Sequence, residues 1–173
     1  MKQKLAGLLT IAFVCLLTFS AFRHHNFSYQ VKTCKPTTDG TSGELLEQLT
    51  ATVQKAKGKS TAPTYTINGV KSSIRFKLNE TCFEVYADTG MPDPFQNISL
   101  YKLTSSKTGR TLTMINDGSN NSTWIPTQIP QVEPGKYKVY LGGSVTAGEY
   151  AFVDKTTTTS NGNITVWTFG IDQ

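Results

Sequence analysis

From Thr64 to the C-terminus the apolar residues recur with a period of two, and that alternation restricts the chain to paired extended segments. Ser73-Ile74-Arg75-Phe76-Lys77-Leu78 sets Ile74, Phe76 and Leu78 on one side, while Phe83, Val85 and Ala87 alternate with Glu84, Tyr86 and Asp88. Successive side chains of a strand point to opposite faces, so each run offers one face to a core and one to water. Further strands are predicted at Ile98–Leu103, Thr111–Ile115, Trp124–Ile129, Tyr137–Leu141, Glu149–Val153 and Ile164–Ile171. Turn chemistry separates them at Met91-Pro92-Asp93-Pro94, Ser105–Gly109, Asn116-Asp117-Gly118, Pro134-Gly135 and Asn161-Gly162. Asn68-Gly69 tolerates the positive φ of a tight hairpin turn, and is expected to join Tyr65-Thr66-Ile67 to the Ile74 strand. Asn79-Glu80-Thr81 is short enough to turn that strand back into the Phe83 run. Such spacing predicts a mainly β fold, an antiparallel β-sandwich (Ig-like or related) of about eight or nine strands. Tyr150-Ala151-Phe152-Val153 and Val166-Trp167-Thr168-Phe169 are apolar on both faces, so they are expected at the centre.

One helix is predicted ahead of the strands, over 43–58. Thr41-Ser42-Gly43-Glu44 has the spacing of a capping box, in which two side chains satisfy each other's free backbone donors. Leu45, Leu46, Leu49 and Val53 then share a face at helical spacing, with Gly58 as a stop after Lys55 and Lys57. This helix is expected to cover the second face of the central strands. Residues 23–42 follow neither period and read as a flexible tether, which leaves 64–173 as the β domain. At the start, the uncharged run Leu5–Phe22 follows Lys2 and Lys4. It reads as a signal peptide cut after Ser20, or as an uncleaved N-terminal signal anchor with the N-terminus inside. Cys15 lies too deep in the run for a lipoprotein cutting site. Either reading makes the domain extracytoplasmic: secreted, periplasmic or held at the cell envelope.

Export decides how the cysteines are read. Beyond the leader only Cys34 and Cys82 remain, an even pair in an oxidising compartment and hence a disulfide candidate. The competing reading makes Cys82, in a strand-like stretch, a small buried hydrophobe. Charge argues against a nucleic-acid partner. The chain is +5, losing Lys2 and Lys4 lowers it to +3, and the remaining basic residues are interspersed with acidic ones. No dense basic stripe of the nucleic-acid-binding kind appears.

Gly148-Glu149-Tyr150-Ala151-Phe152, followed by Phe169-Gly170-Ile171-Asp172, resembles the ending of uncharacterised exported bacterial β-sandwich-like proteins. Leu100–Leu103 and Lys107–Arg110 are similar to their leucine-rich strand and basic turn. The resemblance spans roughly residues 65–172; it implies a small sandwich-like domain, carries no known activity and transfers no functional residue.

Histidine is absent after His25, which removes the usual means of acid–base, triad and zinc chemistry from the β domain. Glu84, Asp88 and Glu149 are the carboxylates a glycosidase-like pair would need, but nothing in the sequence pairs them across a cleft. Asp88 and Asp93, and the run Asn116-Asp117-Gly118-Ser119-Asn120, lack the spacing of a calcium loop and are ordinary turn chemistry. Asn-x-Ser/Thr triplets at Asn26, Asn79, Asn97, Asn120, Asn121 and Asn163 fall largely near the turns. Trp124, Tyr101 and Tyr140, with Tyr86 and Trp167 as further members, could form an aromatic platform for sugars; burial in a core is the ordinary alternative, above all for Trp167. The expectation is therefore a non-enzymatic binding or structural module with no catalytic residue, cofactor or metal. Its unknown partner would be a protein or a glycan, with membrane contact only through residues 5–22 if the leader persists. A carbohydrate-binding module is the sharper version, and a carboxylate-dependent hydrolase the rival class.

Overall fold

A computed structural model describes residues 28–34, 43–54, 62–78, 81–115, 122–142 and 145–173. The leader over 1–22, both histidines, the end of the expected helix at 55–58 and the turn at 116–120 lie outside the described residues. Among the described residues no helix is long and apolar enough to cross a membrane.

Strands dominate, as the alternation predicts, in the order β1 (Tyr29–Thr33), β2 (Glu47–Val53), β3 (Thr64–Ile67), β4 (Arg75–Lys77) and β5 (Phe83–Ala87). A four-residue helix α1 (Pro94–Asn97) leads into β6 (Ile98–Ser105) and β7 (Arg110–Thr113). Then come β8 (Trp124–Ile125), β9 (Thr127–Gln128), β10 (Gln131–Glu133), β11 (Lys136–Leu141), β12 (Gly148–Asp154) and β13 (Ile164–Asp172).

The sandwich expectation is overturned by one pairing. The antiparallel ladder runs β12-β13-β2-β3-β7-β6, and β6 then pairs with β12, Leu100 opposite Phe152 and Leu103 opposite Glu149. Six antiparallel strands thus close into a barrel, which removes the sheet edges a sandwich would leave open. A second sheet, β1-β5-β11-β10 with β9 on β11, packs outside this barrel. The chain between Trp124 and Gln128 links the two: β8 pairs with β6 of the barrel and, after Pro126, β9 pairs with β11.

The helix expected over 43–58 is likewise corrected, because Glu47–Val53 is a barrel strand held by β13 on one side and β3 on the other. Its pairing partners lie far along the chain, so tertiary context overrides the local leucine spacing. Tyr29–Thr33, assigned to the tether, pairs with β5 along its length, and the folded unit therefore begins well before Thr64. Among the described residues neither expected hairpin pairing forms, and residues 79–80 of the second turn lie outside them. Arg75–Lys77 adds in parallel to the end of β13, while Tyr65–Ile67 pairs with β2 and β7.

Alternation splits the apolar residues into two cores. Leu112, Ile67, Ala151, Val153, Val166 and Tyr101 fill the barrel interior. Phe83, Val85 and Val31 of the second sheet meet Leu100, Phe152, Trp167 and Phe169 on the barrel's outer wall. This is why β12 and β13 are apolar on both faces: each separates two cores, the second sheet standing where the helix was expected. Aromatic rings dominate the shared layer, with Phe83 and Phe169 centroids 4.5 Å apart and Tyr150 stacked on Phe169 at 5.4 Å. A disulfide between Cys34 and Cys82 continues the β1–β5 ladder, where Cys34 N–H also donates to the Cys82 carbonyl at 3.0 Å.

Candidate functional site

Buried charge gathers at one end of the barrel, where 68–74 crosses between β3 and β4. Arg110 opens β7, and its Nε and Nη2 donate to the Gly69 and Asn68 carbonyls, each at 3.0 Å. Its Nη1 reaches Ser72 Oγ and lies 3.4 Å from Glu149 Oε2, which also accepts from Ser72 N–H at 2.8 Å. Glu149 Oε1 takes Arg75 Nη1 at 2.6 Å, and Arg75 Nη2 holds Asp172 at 2.6 Å. Gly170 makes room for this, since a Cβ there would sit 2.2 Å from Arg75 Nη1. The hydrogen bonds that Arg75 donates to Asp172, then those it donates to Glu149, raise it above its ordinary value, and Arg75 in turn holds Asp172 below the usual carboxylate range. Both oxygens of Glu149 are therefore occupied by donors, so it cannot act as a base toward a ligand without breaking the cluster. The arrangement seals the barrel end and docks the crossing segment.

A different chemistry appears on the outward face of the second sheet. Tyr29, Val31, Phe83, Val85 and Val139 point into the core, so Gln30, Lys32, Glu84, Tyr86, Lys136, Lys138 and Tyr140 point to solvent. Register sets them in rows: Gln30, Tyr86 and Lys136 across one, Lys32, Glu84 and Lys138 across the next. Lys32 Nζ lies 4.7 Å and Lys136 Nζ 5.8 Å from the Tyr86 ring centre, and Lys138 Nζ lies 5.5 Å from that of Tyr140. Cations over aromatic faces are attracted by the ring quadrupole. Glu84 binds Lys136 at 3.1 Å through one oxygen and accepts the Tyr86 hydroxyl at 2.7 Å through the other. Burial first, then the bond to Glu84, pushes the Tyr86 phenol up; the same carboxylate raises Lys136. Tyr140 is 49% exposed and borders a hollow of about 360 Å³ lined also by Thr81, Lys138, Leu141 and Val145.

A wider groove of about 520 Å³ lies beside α1, between Asp93 and Phe95 on one bank and Ile129, Gln131 and Tyr137 on the other. Asp93 caps the turn by accepting from Phe95 N–H at 2.9 Å, and the ring of Phe95 is 57% exposed. Tyr29, buried beneath, donates to the Pro92 carbonyl at 2.7 Å and fixes this bank.

Trp124, Tyr101 and Tyr140 do not assemble into the expected platform, and Trp167 is buried. Tyr101 is buried in the barrel, where loss of water raises its phenol, and Trp124 opposite it on β8 packs on the same core. Tyr140 stands alone of the three, on the other sheet. Of the carboxylates, Glu84 is bound by Lys136 and Tyr86, Asp88 accepts from Ser28 N–H at 3.0 Å, and Glu149 is held by two arginines. Among the described residues no three His, Cys, Asp or Glu side chains are grouped to hold a metal. Sequence reasoning names Tyr86 as a possible platform aromatic but misses Lys32, Lys136 and Lys138 beside it as one surface. The signal was present in Lys136-x-Lys138-x-Tyr140 and in Glu84-x-Tyr86, but only register shows that these runs are neighbours. No protein-family model matches this sequence, and no curated protein or solved structure matches it.

Proposed function

We propose that this chain is an exported, non-enzymatic binding domain that takes a carbohydrate on the outward face of β1, β5 and β11. The observation that carries the reading is Tyr140, a half-exposed ring beside a hollow, with a lysine held against it. An exposed aromatic flanked by hydrogen-bond donors suits a sugar, whose ring offers an apolar face and a polar rim. Behind this face the sheet is fixed by the aromatic layer and by the Cys34–Cys82 bond, so the surface is held before any ligand arrives. The disulfide accords with an oxidising compartment, and the leader expected at residues 1–22 with the route to it.

The rival reading, a carboxylate-dependent hydrolase, needs a pair of free carboxyl groups across a cleft, whereas the buried Glu149 is engaged by Arg75 and Arg110. A glycan array probed with the mature protein tests the binding reading. Selective binding that Tyr140→Ala abolishes and Trp124→Ala leaves intact is the expected result; binding indifferent to Tyr140→Ala would refute the assignment of this face. N-terminal sequencing of the product from fractionated cells tests export, and an intact N-terminus in soluble cytoplasm would contradict it.

A further inference from the structure

Resting on that assignment of the face, we propose that the carbohydrate is a linear acidic polysaccharide lying along β11, with one sugar ring on Tyr140 and its carboxylates on Lys138 and Lys136. Three features of the surface argue for this ligand. The outward residues of β11 form a ladder, Lys136, Lys138, Tyr140, with steps of about 7 Å set by the strand rise. A linear polymer can meet such points in succession. The face is also open, with a shallow hollow at its Tyr140 end, and a small ligand would be left largely in water there.

Charge selects the acidic class. Among the described residues, Lys136 and Lys138 on β11 face one carboxylate of β5, Glu84, which is committed to Lys136 and the Tyr86 hydroxyl, while Asp88 beyond β5 accepts from Ser28 N–H. Glu133, opposite Lys136 on β10, adds one acidic group at the rim beyond Lys136. Lys138 makes no ion pair among the described residues; its ammonium rests against the Tyr140 ring. A neutral sugar stacking there would gain no charged partner, whereas an acidic sugar puts a carboxylate within reach of the ammonium already beside the ring. Lysine suits this role, because its flexible stem lets a point charge follow an acidic group along a polymer.

The test uses the full mature protein with its disulfide intact and two probes, polygalacturonate and the same polymer fully methyl-esterified, which keeps the backbone and removes the charge. Titration calorimetry is expected to show binding of polygalacturonate that falls about fivefold or more on Lys138→Gln, and again when salt rises from about 50 to about 300 mM. Tyr140→Ala should weaken both probes, and thermal melts of the two variants should match the parent, since both side chains face solvent. Equal affinity for the esterified polymer would overturn the acidic assignment while leaving the face as a glycan site. Failure of both polymers to bind, with array binding to other glycans still dependent on Tyr140, would likewise overturn the ligand class alone. No Tyr140-dependent glycan binding would overturn the face assignment as well. Lys138-dependent binding to anionic phospholipid vesicles or single-stranded DNA as tight as to polygalacturonate would show a generic anion surface and defeat the proposal.

Discussion

Arg110 and Glu149 meet inside one end of the barrel, their side chains 1% and 6% exposed and their charged atoms 3.4 Å apart. Neither can be removed quietly. Without Arg110 the Asn68 and Gly69 carbonyls lose their donors and Glu149 keeps one arginine instead of two. Breaking a buried pair from one side typically costs about 3–5 kcal/mol, because a desolvated charge is left behind. Arg110→Met is therefore expected to lower stability by about 3 kcal/mol, with Arg110→Met/Glu149→Gln costing at least about 1 kcal/mol less than the sum of the single changes. Urea unfolding of the three variants measures this, and additive losses would show that the two side chains act separately.

The same cluster marks where the sequence stopped being informative. Strands β6, β11, β12 and β13 were legible because each carries its own alternation or an unbroken apolar run, and turn residues bracket them. Tyr29–Thr33 alternates just as clearly, yet its polar surroundings made it look like tether. Glu47–Val53 contains Thr50, Thr52 and Val53, β-branched residues that favour strands, but Leu45, Leu46 and Leu49 imitate a helical stripe over the same stretch. Closure was not legible at all. Whether six strands make a barrel or split into two sheets depends on β6 finding β12, a pairing between residues about fifty apart that no local pattern encodes. The outward face of β1, β5 and β11 was half legible for the same reason: alternation names its residues, and only register makes Lys138, Glu84 and Lys32 one row.

Cys34 and Cys82 close a sequence separation of 48 residues and tie the edge strand β1 to β5. In the loop-closure account a bridge of that span is worth about 4 kcal/mol, with measured values for comparable bonds commonly about 2–4. The double variant Cys34→Ala/Cys82→Ala is expected to lose stability in that range, and its β1 amides should exchange with solvent before those of β12 and β13. Thermal melts with and without reductant, together with hydrogen exchange, check both points. A loss below about 1 kcal/mol would mean that the β1–β5 ladder holds the segment unaided.

Asp172 makes the stability of the barrel end depend on pH. Its hydrogen bonds from Arg75 hold its carboxyl below the ordinary carboxylate value in the folded chain. A group with a depressed folded pKa contributes its stabilisation above the unfolded value, and loses it as pH falls through the folded one. Parent and Asp172→Asn should therefore differ most near neutrality, the parent being the more stable, and the gap should close as pH drops below about 4. Urea midpoints from pH 7 to pH 2 measure this difference, and a gap that widened in acid would reverse the sign of the argument.

Trp167 lies in the layer between the barrel and the second sheet, 1% exposed, opposite Phe152, and its indole Nε1–H has no hydrogen-bond partner among the described residues. An unsatisfied buried donor carries a desolvation penalty of about 1–3 kcal/mol, while the ring itself supplies packing worth more. The two contributions can be separated by substitution. Trp167→Phe leaves a smaller void and removes the orphan N–H, so the gain offsets much of the lost contact and the net loss should stay near about 1 kcal/mol. Trp167→Ala empties the site and should cost about 3–5 kcal/mol. If Trp167→Phe cost nearly as much as Trp167→Ala in urea unfolding, the N–H would have to be engaged, by a bound water or a shifted carbonyl, and the layer would be less dry than its apolar lining implies.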